Sequence, residues 1–198
     1  HPAGENYTFA YEYDDRLRAI KETLREDGVA SIIGKTYDSA DRIIESLEPD
    51  NTDFDYYFNL QGKIKEIKGY INDTKYNPFG NPLNRTYFNA KLTQFDYYSN
   101  NARLKQIKTD TVQILNYTYD SVGNVISIDD QANSRLYSMS YDNLYRLTNV
   151  SIGKFKWVYN FDSLGNIMKI VRNFSTTTSF KFDSGSAHAH KPLTSIAT

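Results

Sequence analysis

Apolar and polar residues alternate in short runs along this chain, and turn residues interrupt the runs about every ten positions. Leu115, Tyr117 and Tyr119 are spaced by two, as are Phe54, Tyr56 and Phe58, and Trp157, Tyr159 and Phe161. A period of two places such side chains on one face of a β-strand. Turn signals separate the runs: Asp27-Gly28, Pro49-Asp50-Asn51, Asn72-Asp73, Thr109-Asp110, Asp129-Asp130 and Gly153. The expected class is all-β, a continuous antiparallel meander of hairpins. The charged segment from Arg16 to Asp27 also admits a helix, but the strand rhythm runs through it.

The rhythm is a repeat. An aromatic residue precedes a reference position that is usually Asp or Asn, at Glu12, Asp38, Asn59, Asn77, Ser99, Asp120, Asp142, Asp162 and Asp183. The nine preceding residues are Tyr11, Tyr37, Phe58, Tyr76, Tyr98, Tyr119, Tyr141, Phe161 and Phe182. One array of about nine copies over 1–198 is expected. Gly62, Gly80, Gly123 and Gly165 come three residues later, then Arg, Lys or Asn, then an aliphatic residue, with Pro82 the exception. A second aliphatic follows three further on, as in Val125 and Ile128.

Each part has a physical reason. An Asp or Asn opening a turn can accept the backbone N–H two residues on. Asp38, Asn59, Asn77, Asp120, Asp142 and Asp162 are therefore read as turn residues. Gly123 and Gly165 close turns where a positive φ carries no steric cost. Two aliphatic residues three apart cannot share a face of a regular strand, so a bulge or a face switch is expected between them. Ala102 and Tyr145 stand where the other copies carry Gly, and a side chain resists positive φ.

These residues carry a family resemblance. Tyr117-Thr118-Tyr119-Asp120-Ser121-Val122-Gly123-Asn124-Val125 and Tyr159-Asn160-Phe161-Asp162-Ser163-Leu164-Gly165-Asn166-Ile167 resemble the YD-repeat, or Rhs (rearrangement hotspot), family. Tyr76-Asn77-Pro78-Phe79-Gly80-Asn81-Pro82 is similar to the family's variant with proline after the turn, and His188–Ile196 to a stretch recurring in Rhs cores. The resemblance implies hairpins coiled into a curved or spiralling sheet, as in Rhs toxin shells, toxin-complex cocoons, teneurin-type ectodomains and wall-associated proteins. The family's aspartyl-protease core and C-terminal toxin domain are not recognisable here, and nine copies are fewer than a closed cocoon needs.

Composition narrows the function. Aromatic residues make up 15% of the chain, with 17 Tyr and 11 Phe, so rings must supply much of the apolar burial. The formal net charge is -1, with no bias toward nucleic acid or an anionic membrane. No apolar run is long enough to span a bilayer. Cys is absent, so neither disulfides nor thiolate metal sites are expected. His1-Pro2-Ala3-Gly4 shows no signal-peptide core, so a secreted form would carry its signal further upstream.

Candidate chemistry is sparse. N-x-Ser/Thr sequons at Asn6, Asn72, Asn84, Asn116, Asn149 and Asn173 are candidate glycosylation sites, although Asn, Ser and Thr are also the residues of turns and strands. Asp50, Asp53 and Asp55 have a spacing that can hold Ca²⁺ but read first as a solvated turn. His188 and His190 could meet a metal, but no further ligand lies near them in sequence. The only other His is His1, and no nucleophile or phosphate-loop motif occurs. Neither an enzyme nor a cofactor is expected. Trp157 and Tyr159 could stack on a sugar, against the alternative that they pack the sheet.

The expected role is an extracellular structural module: a shell segment, fibre subunit or adhesive stalk at the cell surface. Free sheet edges would recruit further strands, giving a homo-oligomer joined end to end or the continuation of a longer repeat chain. The alternatives are a fragment of an Rhs-type shell enclosing a toxin and an adhesin for cell-surface glycans.

Overall fold

The computed structural model describes residues 7–173, 176–182 and 192–197. All of their regular structure is β: eighteen strands, each antiparallel to its paired neighbours. The charged segment after Arg18 is strand, not helix. The chain divides into two compact units, 1–92 and 93–198.

The first unit is a ladder of β1 (Tyr7–Tyr13), β2 (Ala19–Glu26), β3 (Val29–Tyr37), β4 (Ile43–Leu47), β5 (Asp53–Phe58), β6 (Ile64–Ile67), β7 (Ile71–Tyr76) and β8 (Pro82–Tyr87). Each strand pairs with the next. Asp27 and Gly28 both have positive φ, 47° and 86°, and close the β2–β3 hairpin in two residues. That geometry matches the strand twist, which is why Asp-Gly is favoured there.

The second unit is built the same way. β9 (Leu92–Tyr97) pairs with β10 (Leu104–Thr109), followed by β11 (Gln113–Tyr119), β12 (Val125–Asp130), β13 (Arg135–Tyr141), β14 (Leu147–Ile152), β15 (Phe155–Phe161), β16 (Ile167–Arg172), β17 (Thr176–Phe182) and β18 (Pro192–Ala197). The pairing continues without interruption to β18.

The three-residue aliphatic spacing is a bulge. Tyr119 lies opposite Val125 and Tyr117 opposite Ile128, so one extra residue is accommodated after the turn. Val125 and Ile128 thereby share the face that carries the two tyrosines. The same shift places Leu147 and Val150 opposite Tyr141 and Met139, and Ile167 and Ile170 opposite Phe161 and Tyr159.

The two faces of the second unit differ. Tyr137, Met139 and Tyr141 of β13 are half-buried while Ser138 and Ser140 between them are exposed. Yet no hydrophobic side chain is buried among the described residues; the buried ones are Ser46, Thr74, Thr93, Asp130 and Asn166. The ring-bearing face is thus partly covered by its own cross-strand neighbours and closed by nothing else described.

Two reference positions need correction. The first turn is organised by Asp14, not Glu12: the Asp14 N–H donates to the Arg18 carbonyl at 3.0 Å, and Leu17 N–H to the Asp14 carbonyl at 2.9 Å. Glu12 lies inside β1 and pairs with Lys21 at 2.7 Å. Ser99 is likewise not the fifth turn's opening residue. The Tyr98 N–H donates to the Arg103 carbonyl, and Ala102 N–H to the Tyr98 carbonyl, both at 2.9 Å. That turn is one residue longer, so Tyr97 takes the strand-end place opposite Leu104.

Candidate functional site

The recurring site is the turn and its junction with the next copy. Asp142 shows the pattern. Its Oδ1 accepts the N–H of Leu144 at 2.9 Å and of Arg146 at 3.0 Å, and its Oδ2 accepts Arg146 Nε at 2.7 Å. The carboxylate thus holds turn donors that would otherwise lack a partner. Asp38 does the same with Ala40 and Arg42. Asn59 and Asn77 cap their turns through one amide oxygen, because only Oδ1 is needed for the two backbone donors. In the Asp120 and Asp162 turns, Asn124 and Asn166 each donate Nδ2 to the Asp Oδ2 at 2.8 Å.

These bonds favour the ionised form. Asp142 is held below the usual carboxylate range by the Arg146 backbone N–H, which outweighs the desolvation that acts the other way. The Arg42 side chain lowers Asp38 and the Asn166 side chain lowers Asp162. For Asp120, burial pushes upward as the largest single influence, but the Asn124 and backbone donors together bring the result below the normal value.

The position that closes each turn has positive φ whatever residue occupies it. Gly62, Gly80, Gly123 and Gly165 adopt it, and so do Leu17, Asp41, Ala102 and Tyr145 at 55–62°. The resistance expected at Ala102 and Tyr145 is overridden, because the flanking ladder dictates the turn. Gly123 has a second constraint: a Cβ there would stand 2.6 Å from Nη2 of Arg103.

Arginine also joins one copy to the next. The Arg18 guanidinium lies 4.7 Å from the Tyr37 ring centroid and donates Nη1 to the Asp38 carbonyl at 3.0 Å. Arg146 lies 4.7 Å from Phe161 and donates to the Asp162 carbonyl at 2.9 Å. Arg103 repeats this with Tyr119 at 5.6 Å and the Asp120 carbonyl at 3.2 Å, and Arg42 stacks on Phe58 at 4.4 Å.

The tyrosine reaches back. Tyr37 donates its hydroxyl to the Ala19 carbonyl at 2.9 Å, and Tyr119 and Tyr141 donate to the Leu104 and Val125 carbonyls at 2.8 Å. Each acceptor is the residue that begins the strand after the preceding turn. Arginine forward and tyrosine back make a clamp between consecutive copies. The sequence showed these residue types at fixed offsets, but not that they act across copies.

The other candidates are scattered. Asn72 is exposed within β7 and donates Nδ2 to the Tyr87 carbonyl at 3.3 Å. Asn173 is exposed after β16, and its Oδ1 accepts the Lys156 N–H at 3.0 Å. Asn84, Asn116 and Asn149 are half-buried in strands, and Asn116 Oδ1 accepts Gln106 Nε2 at 2.6 Å. Asn6, Asp183, His188 and His190 lie outside the described residues.

Asp50 caps a turn through Thr52 N–H at 2.9 Å, while Asp55 pairs with Lys68 at 2.7 Å. Among the described residues, no three His, Cys, Asp or Glu side chains are grouped to hold a metal. Trp157 and Tyr159 do share a face of β15, both half-buried, with Phe155 6.4 Å from Trp157 between ring centroids. Trp157 lies opposite Val150 and Arg172, so its immediate neighbours are sheet residues.

An open cleft of about 610 Å³ in the first unit is lined by Asp14, Arg18, Lys35, Tyr37, Glu45 and neighbouring residues. Its cations are committed: Arg18 to Asp14 at 2.6 Å and Lys35 to Glu22 at 2.5 Å.

Solved structures share this arrangement of strands. A crystal structure of TcdB2-TccC3 without its hypervariable C-terminal region matches 92% of the chain with a TM-score of 0.70 and 17% identity. The fold is a YD-repeat sheet. A TcdB2-TccC3-Cdc42 crystal structure matches 88% at TM-score 0.69 and 19% identity. The Photorhabdus luminescens Tc holotoxin pore with the TccC3-D651A mutation matches 90% at TM-score 0.66 and 17% identity. The chain spans 12% of each of these solved chains. No family model and no curated protein sequence matches it. The YD-repeat sheet is the architecture that the sequence resemblance implied, and its neighbours are toxin-complex structures.

Proposed function

We propose that this chain is a wall segment of an extracellular YD-repeat shell, non-catalytic, whose sheet continues into further repeats. The observation that carries the reading is the half-buried ring face without a single buried hydrophobic side chain among the described residues. A sheet so built has its stability distributed over neighbouring hairpins rather than held in a central core. Its apolar surface asks for a covering layer or an enclosed space. Turn-tip residues Phe79, Val122, Leu144 and Leu164 add exposed apolar surface at 55–83% of their full accessibility. The likeness to toxin-complex structures many times longer supports a shell over a free-standing domain.

Electron microscopy of the native protein tests this. Hollow particles are expected. Filaments assembled end to end would favour a fibre subunit, and a monodisperse small monomer would remove the shell reading. An array of glycans that bound this chain through Trp157 and Tyr159 would favour an adhesin instead.

A further inference from the structure

The clamp has two halves, and the first copy displays one of them open. In the joints described, the receiving half is the aromatic ring at the strand end together with the carbonyl of the turn-opening residue. Tyr37 and Asp38 receive Arg18; Tyr119 and Asp120 receive Arg103; Phe161 and Asp162 receive Arg146. The same pair in the first copy is Tyr13 and Asp14. Tyr13 is 56% exposed, whereas Tyr37 and Tyr119 under their arginines are half-buried. Among the described residues no cation stands over the Tyr13 ring; its ring contact is Tyr11, 6.4 Å away and tilted. Every residue of β1 is exposed, with Tyr7, Phe9 and Tyr11 continuing one aromatic row at 46–68%.

We propose that β1, with the Tyr13 ring and the Asp14 carbonyl as an open receiving half, docks a further YD-type hairpin whose turn carries arginine immediately before the returning strand. The occupant follows from continuity with the joints already formed. Its cation stacks on Tyr13 and donates to the Asp14 carbonyl. The Tyr13 hydroxyl donates to the carbonyl of the residue after that cation, as Tyr37 does to Ala19. Asp15, exposed beside the site, adds charge complementarity. A turn with asparagine at that place fits less well, because Asn124 folds back on its own Asp120 and, among the described residues, no cation stands over Tyr141 of the next copy. The inference rests on the shell reading and adds which class of repeat lies against this edge.

The test uses the full chain, preceded by a copy of its own 135–152 hairpin and a short glycine–serine linker. The tether supplies an effective concentration of order mM. Amide hydrogen exchange of β1 is compared with that of the unextended chain. Alternate β1 amides are expected to slow at least about tenfold. Replacing the appended arginine with Asn, or Tyr13→Ala in the chain, should remove most of that protection while β2–β8 keep theirs. Unchanged exchange in β1 would overturn the proposal. So would equal protection with appended Arg or Asn, since it would mean indifferent strand addition. A native particle that is hollow, with no docking in this experiment, sinks the clamp and leaves the shell; docking without a hollow particle does the reverse.

Discussion

Arg146 Nη1 donates to the backbone carbonyl of Asp162 at 2.9 Å, although the two residues organise different turns. The same guanidinium gives Nε to Asp142 and stacks on Phe161. One side chain thus closes its own turn and fastens the following one. Arg146→Ala should cost about 1 kcal/mol in denaturant unfolding, the scale of a partly exposed cation–π contact and charged hydrogen bond. Arg146→Lys should recover only part, because an ammonium carries its donors on one nitrogen and cannot span Asp142 and the Asp162 carbonyl while lying flat on Phe161 as the guanidinium does. Equal stability of all three forms would mean that the strap carries no weight.

The tyrosine hydroxyl has its own test. Tyr141→Phe removes the donor to the Val125 carbonyl at 2.8 Å and should destabilise by about 1 kcal/mol. Phe161 offers the converse. Phe161→Tyr gives a hydroxyl in the place from which Tyr141 and Tyr119 reach back, and should be neutral or stabilising. A matched loss at position 161 would show that the two joints are not equivalent.

Turn-closing residues should respond by conformation more than by size. Gly123→Ala meets both the 108° φ and the Arg103 guanidinium, and should lose more than about 1 kcal/mol. Tyr145→Gly relieves a φ of 60° in a bulky residue, at the cost of a more flexible unfolded chain. Its expected change is small and stabilising, under about 1 kcal/mol, read as a rise in Tm.

Acid should loosen the turns. Asp14, Asp38, Asp120, Asp142 and Asp162 all have folded-state values depressed below the ordinary 3.8. Their contribution is fully present above the unfolded value and is lost as pH falls through the folded values. Tm should therefore hold above about pH 5 and fall steeply below about pH 4. Asp142→Asn keeps an Oδ1 acceptor, as Asn59 and Asn77 do, and should flatten part of that fall. A Tm that rose on acidification would contradict the hydrogen-bonding pattern.

Sequon use should follow exposure. In a host that glycosylates, Asn72 and Asn173 are expected to carry glycan before Asn84, Asn116 and Asn149, whose side chains are half-buried in strands. Peptide mapping with and without glycosidase reads this directly. Preferential modification of Asn116 would require β11 to open.

Strand class, repeat length and the turn role of Asp38, Asn59, Asn77, Asp120, Asp142 and Asp162 were legible in the chain, because a side chain that caps its own backbone acts over two to four residues. An irregularity between the two aliphatic residues was legible too, as a bulge or a face switch, and the strand register made it a bulge. Tertiary structure decided what spans copies. The longer turn at Tyr98 and the true first turn at Asp14 depend on which backbone groups meet, and spacing alone misplaced both. That Arg18 reaches Tyr37, and Tyr37 reaches Ala19, depends on strands about twenty residues apart lying side by side. Local chemistry writes the hairpin, but only the register of neighbouring hairpins turns a ring and a cation into a joint.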